Sequence, residues 1–87
     1  MVDSFEQENA LRKFIEDRVR VAEVQEFTPS AYLLKAVRSQ VEGLEDVSDR
    51  QVLYDLKKLS PSVFAASGTR RFRGKMIAGY YGMRVLV

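Results

Sequence analysis

Apolar positions recur along this chain with two different periods, and the change from one to the other divides it. Leu11, Phe14, Ile15, Val19 and Ala22 return every three to four residues, the spacing of one helical face. Ser4-Phe5-Glu6-Gln7 ahead of them forms a capping box, with Ser4 as N-cap and Gln7 reaching back, so a first helix is predicted from about residue 5 to the low twenties. Leu33, Leu34, Val37 and Val41 make a second stripe after Phe27-Thr28-Pro29. There Thr28 can cap a helix, Pro29 suits its first turn, and Gly43 closes it. A second capping box, Ser48-Asp49-Arg50-Gln51, opens a short third helix with Val52, Leu53, Leu56 and Leu59 on one face and Ser60-Pro61 at its end.

From Thr69 the texture becomes bulky, β-favouring and interrupted by glycine. Thr69-Arg70-Arg71-Phe72-Arg73 and Met76-Ile77-Ala78-Gly79-Tyr80-Tyr81 read as two strands joined at Gly74-Lys75, with glycine in the first position of a type II′ turn. That turn opposes Phe72 to Ile77 and puts Arg71 and Arg73 on the other face with Ala78 and Met76, so that one side packs and the other stays basic. Val63-Phe64-Ala65-Ala66 reads as either an extra strand or a helical turn, and Ser67-Gly68 as a bend. No internal repeat or low-complexity tract occurs. The expected fold is α+β: a three-helix core followed by a C-terminal β-hairpin, with residues 1–87 as one domain, the size at which a chain with 46% hydrophobic content buries a single modest core.

Charge sharpens this picture. Residues 1–46 hold six basic and ten acidic side chains, whereas residues 47–87 hold eight basic and two acidic ones. After Asp55 every charged side chain is positive: Lys57, Lys58, Arg70, Arg71, Arg73, Lys75 and Arg84. The overall +2 conceals the division. Positive potential concentrated in one part of a molecule favours a polyanionic partner, which releases counterions on binding. The chain has neither cysteine nor histidine, which removes disulfides and thiolate metal sites and argues against metal, redox or hydrolytic catalysis. No enzyme activity and no cofactor are expected. The N-terminus carries acidic residues and no long apolar stretch, so a soluble, cytoplasmic protein without a membrane partner is expected.

Three helices followed by a glycine-tipped basic hairpin, the third helix being short, capped and polar outward, is an order that resembles a winged helix-turn-helix domain across nearly the whole chain. The resemblance implies that residues 48–59 read the major groove of double-stranded DNA while a wing of about residues 69–85 lies along the backbone or minor groove. The loop from Gly43 to Val47 is longer than the tight turn of the simplest such domains. A narrower likeness runs through Phe27-Thr28-Pro29, Val47-Ser48 with Leu53 and Leu56, Arg70-Arg71-Phe72-Arg73-Gly74 and Gly79-Tyr80-Tyr81-Gly82-Met83-Arg84. It resembles the C-terminal DNA-binding module of phage and plasmid primase-helicases, and implies a role in replication initiation. No Gly-rich phosphate loop precedes a Lys-Ser or Lys-Thr pair, so only the binding module of such a protein is represented, as a fragment or a stand-alone descendant.

Candidate binding residues follow. Arg50, Gln51 and Tyr54, near the start of the third helix, are placed to read bases, and Lys57 and Lys58 to meet the backbone. Arg70, Arg71, Arg73 and Lys75 form a phosphate clamp, because the guanidinium fork donates two hydrogen bonds at once and Gly74 permits close approach. Each feature also has a plainer account. Edge cations discourage strand-to-strand aggregation. Tyr80, Tyr81 and Phe72 can stack on single-stranded bases, yet strand aromatics more often pack across strands. Gly79 and Gly82 either admit a nucleic-acid backbone or mark a bulge or bend. Glu42, Glu45, Asp46 and Asp49 read as a solvated acidic turn rather than a cation site, with Asp49 complementing its helix dipole while repelling phosphate. Phe5 and Val21 are left over on the first helix and suit a homodimer, whereas a monomer suits a module attached to a larger replication protein. A small transcriptional regulator, a protein-contact module and an RNA-binding domain are the competing functions.

Overall fold

A computed structural model describes residues 4–86, with the side chains of Ser4 and Phe5 outside the description. Three helices and two antiparallel sheets run in the order α1 (Ser4–Arg18), β1 (Val19–Val21), β2 (Phe27–Pro29), α2 (Ser30–Gln40), α3 (Asp49–Leu59), β3 (Ser67–Phe72), β4 (Lys75–Tyr81) and β5 (Met83–Val85). The α+β class matches the sequence reading. Leu11 and Phe14 of α1, Leu33 and Val37 of α2, and Val52 and Leu56 of α3 meet in the core with Phe64, Tyr80, Met83 and Val85.

The first helix is shorter than its periodicity predicts. It ends at Arg18, and Val19-Arg20-Val21 pairs with Val85, Arg84 and Met83 of β5. Two β-branched residues favour the strand, and Arg20 closes the helix behind it. Its guanidinium donates to the carbonyls of Glu16 (2.8 Å) and Asp17 (3.3 Å), which lack partners in the last helical turn. The predicted Ser4 cap rests on a side chain outside the described residues. Gln7, its expected partner, donates instead to the Gly43 carbonyl at 3.2 Å and ties α1 to the loop after α2.

Thr28 is not a helix cap. It is buried in β2, and its hydroxyl donates to the Met83 carbonyl at 2.9 Å. Pro29 occupies the N-cap position of α2 without a side-chain cap, at the end of an edge strand where its missing N–H is tolerated. The loop after α2 is organised by Arg38, which donates to the carbonyls of Leu44 and Val47 and to Asp49 Oδ1 at 2.7 Å. For α3 the expected start holds: Ser48 Oγ accepts from the Gln51 backbone N–H at 3.2 Å. The Gln51 side chain, however, runs forward to Asp55 (2.9 Å) rather than back to the cap.

The C-terminal hairpin differs from expectation in three ways. It does not stand alone: β2 joins it to make a sheet of order β2-β4-β3, and beyond Gly82 the chain leaves that sheet to pair with β1. Its turn is Arg73-Gly74, not Gly74-Lys75, with Phe72 opposite Lys75. Both turn residues have positive φ (50° and 79°), the requirement of a type I′ turn, whose twist suits a two-residue hairpin. Sliding the turn by one residue moves each cross-strand partner by two, so side chains keep their faces while Ile77 now opposes Arg70. Finally, Phe72 does not pack inward; it is 57% exposed. Ser67-Gly68, expected as a bend, begins β3, and the segment before it is a turn in which the Val63 and Phe64 N–H groups donate to the Ser60 carbonyl.

Candidate nucleic-acid interface

Helix α3 is fixed from beneath by Val52 and Leu56, both fully buried, with Leu53 and Leu59 partly buried against the same core. Arg50, Tyr54 and Lys57 fall at three-to-four spacing on the ridge opposite that anchor, with Tyr54 62% exposed. Gln51 and Lys58 lie to one side of this ridge. Gln51 is engaged with Asp55, and Lys58 lines a shallow groove with Gln7, Glu8, Leu11 and Asp55, between α1 and α3. That flank is mixed in sign, so the cationic part of the helix is its central ridge.

The second group of cations sits on the β3–β4 hairpin. Arg70 and Lys75 share one face of the sheet with Phe72 and Ile77, while Arg71 shares the other with Met76. This corrects the division into a packed side and a basic side: both faces near the turn are exposed, and the first mixes apolar with basic groups. Arg73, in the turn, holds its guanidinium 5.3 Å from the centre of the Phe72 ring. Helix α3 packs chiefly on α1 and α2, so the two groups of cations are carried by separate elements.

Arg84, the last cation of the chain, belongs to neither group. Its guanidinium donates to both carboxylate oxygens of Glu26, at 2.9 and 3.2 Å, across the junction of β4 and β5. Arg12–Glu8 and Arg38–Asp49 are the other ion pairs among the described residues. Lys57, Lys58, Arg70, Arg71, Arg73 and Lys75 therefore make none within that set. The Arg38 contact also offsets the charge of Asp49, reducing the repulsion it would exert on a phosphate near the start of α3.

The aromatic residues separate by face. Tyr80 packs edge-on against Phe64, with ring centres 5.3 Å apart, and burial pushes its phenol pKa up. Tyr81 points to the opposite face, where its ring centre lies 4.9 Å from that of Phe27 and its hydroxyl donates to the Thr69 carbonyl. Gly79 is where β2 crosses closest: a Cβ there would lie 2.6 Å from Phe27 Cζ and 2.9 Å from Pro29 Cα. Gly82, with φ of +77°, turns the chain from β4 into β5. The two glycines thus serve strand contact and bending.

Phe27, Pro29 and Ile77 were not among the expected site residues, yet with Arg70, Arg71 and Phe72 they line a groove of about 450 Å³ on the outer face of the sheet. An aromatic residue followed by β-branched Thr28 carries a strand signal, but Thr-Pro ahead of a helical stripe carries a cap signal as well. Among the described residues no cluster of acidic side chains is arranged to hold a metal ion, and no helix is long and apolar enough to cross a membrane. Comparison with protein-family models, curated proteins and solved structures finds no match to this chain.

Proposed function

We propose that this protein is a DNA-binding domain of the winged-helix kind, with α3 as the reading helix and the β3–β4 hairpin as a basic wing. One observation carries the reading: seven exposed cations on α3 and the hairpin make no ion pair among the described residues, and no acidic residue follows Asp55 in the sequence to balance those of the hairpin. A face that is only solvated mixes signs, as α1 does. Support also comes from the basic hairpin following the third helix in chain order. Arg50, Gln51 and Tyr54 would meet base edges, Lys57 and Lys58 the backbone, and Arg70, Arg71, Arg73 and Lys75 the phosphates beside the groove. A place in phage or plasmid replication initiation rests on the sequence resemblance described above.

A mobility-shift series with duplex DNA, single-stranded DNA and RNA tests this reading. Saturable binding at physiological salt that weakens steeply in the Arg71→Ala/Arg73→Ala double variant is the expected result. Affinity no better than the non-specific range of about 10⁻⁴ to 10⁻⁶ M for every nucleic acid would refute it. Val21 and Val24, 81% and 83% exposed beside the β1–β5 ribbon, favour a second reading in which two copies associate and act as a small transcriptional regulator on a two-fold site. Light scattering separates the two, since a monomer at micromolar concentration removes the regulator reading.

A further inference from the structure

The outer face of the β2-β4-β3 sheet holds a cluster of apolar groups beside the cations of the hairpin. Phe72 is 57% exposed at the hairpin end; Ile77 and Pro29 lie between it and the paired rings of Phe27 and Tyr81. The groove they form is within the size range of ligand pockets, about 300–1,000 Å³, and the charged residues lining it, Arg70 and Arg71, are both positive, with Arg70 on the same face as Phe72. We propose that this groove takes an unpaired base of single-stranded DNA, stacked against Phe72, with Arg70 holding the adjoining phosphate. This deepens the DNA-binding reading and rests on it.

The chemistry commits the groove to this occupant. In a duplex the planar faces of the bases are hidden in the stack, so an exposed ring is limited to thymine methyl groups or must prise base steps apart at a cost of a few kcal/mol per step. An unpaired base presents a π-face that any aromatic side chain can meet, and its phosphate supplies the anion that Arg70 otherwise lacks. A purely apolar peptide would fill the groove but leave the Arg70 guanidinium to be desolvated without a partner. Arg73 adds to the site through its place beside the Phe72 ring, bringing a cation to the edge of the stack. The sheet offers this surface because its other face near Tyr80 is the one that meets the core.

The test uses the full chain with a single-stranded oligonucleotide carrying 2-aminopurine, and the matching duplex, against wild type, Phe72→Ala and Phe72→Tyr. Because Phe72 is largely exposed, both variants should keep the wild-type melting temperature. Quenching of 2-aminopurine emission on saturation is expected for wild type. Single-strand affinity should fall about 5- to 150-fold in Phe72→Ala and return in Phe72→Tyr, with duplex affinity within about twofold throughout. Unchanged single-strand affinity in Phe72→Ala, or emission that stays constant at saturation, would overturn the proposal while leaving duplex binding by the cations intact. Saturable binding of an acidic, aromatic peptide that oligonucleotide does not displace would assign the groove to a protein partner and overturn it equally. Failure of every nucleic acid to bind would remove the DNA-binding reading and this inference with it.

Discussion

Arg73 occupies a backbone conformation that its own side chain disfavours. With φ at 50° it stands in the left-handed region, at a cost of about 1–2 kcal/mol for a residue with a Cβ, and asparagine or glycine there would relieve much of it. What the arginine supplies is a cation at the tip of the hairpin, beside Phe72. Fold and binding are therefore opposed at this position, and Arg73→Asn should raise stability by about 0.5–1 kcal/mol, read by thermal unfolding, while weakening affinity for DNA. A variant that loses both would show that the arginine is structural. Tyr80 gives a second prediction. Burial holds its phenol pKa above the ordinary value, so the neutral form is favoured in the folded state; its contribution is complete below the unfolded pKa of about 10 and is lost as pH rises through the folded one. Chemical unfolding between pH 9 and 11.5 should show stability falling, and Tyr80→Phe should flatten part of that fall. An identical slope in the variant would mean that other groups govern it.

At the scale of elements, what the sequence disclosed was what is decided locally. Helix α3 was legible because its Ser48 cap and the Val52, Leu56 spacing lie within the element itself. The end of α1 was not, because Val19-Arg20-Val21 is extended by pairing with Met83–Val85, more than sixty residues further on. Thr28 was misread for the same reason: its hydroxyl serves a cap in local terms, but the Met83 carbonyl receives it. The turn slid by one residue because type I′ and type II′ hairpins place glycine differently, and the six-residue β3 reaches back through Ser67 and Gly68 to register with β4. Gly79 shows how tightly that register is held. Adding a methyl group there would drive it against Phe27 and the backbone of β2, so Gly79→Ala should cost about 1–3 kcal/mol, with a lowered denaturation midpoint in urea. Wild-type stability in that variant would mean that β2 is not held against β4 as described.

Over the whole molecule, the division of charge was visible in the sequence, but its distribution in space was not. Seven late cations became six when Arg84 paired with Glu26, an acid from the half of the chain counted as negative. The Arg38–Asp49 contact likewise joins α2 to the start of the proposed reading helix across eleven residues. The exposed cations were legible because no acid follows Asp55; the groove beside them was not, since Phe27 reaches it only through the pairing of β2 with β4. If about four to six of the remaining cations meet phosphates, the logarithm of duplex affinity should fall against the logarithm of salt with a slope of about −4 to −5. The most direct measurement of the central claim is this slope, taken between 50 and 300 mM salt for wild type and for Arg70→Ala/Arg71→Ala. The account predicts a steep wild-type slope that becomes shallower by about 2 in the double variant. Equal slopes, or a wild-type slope near zero, would contradict it.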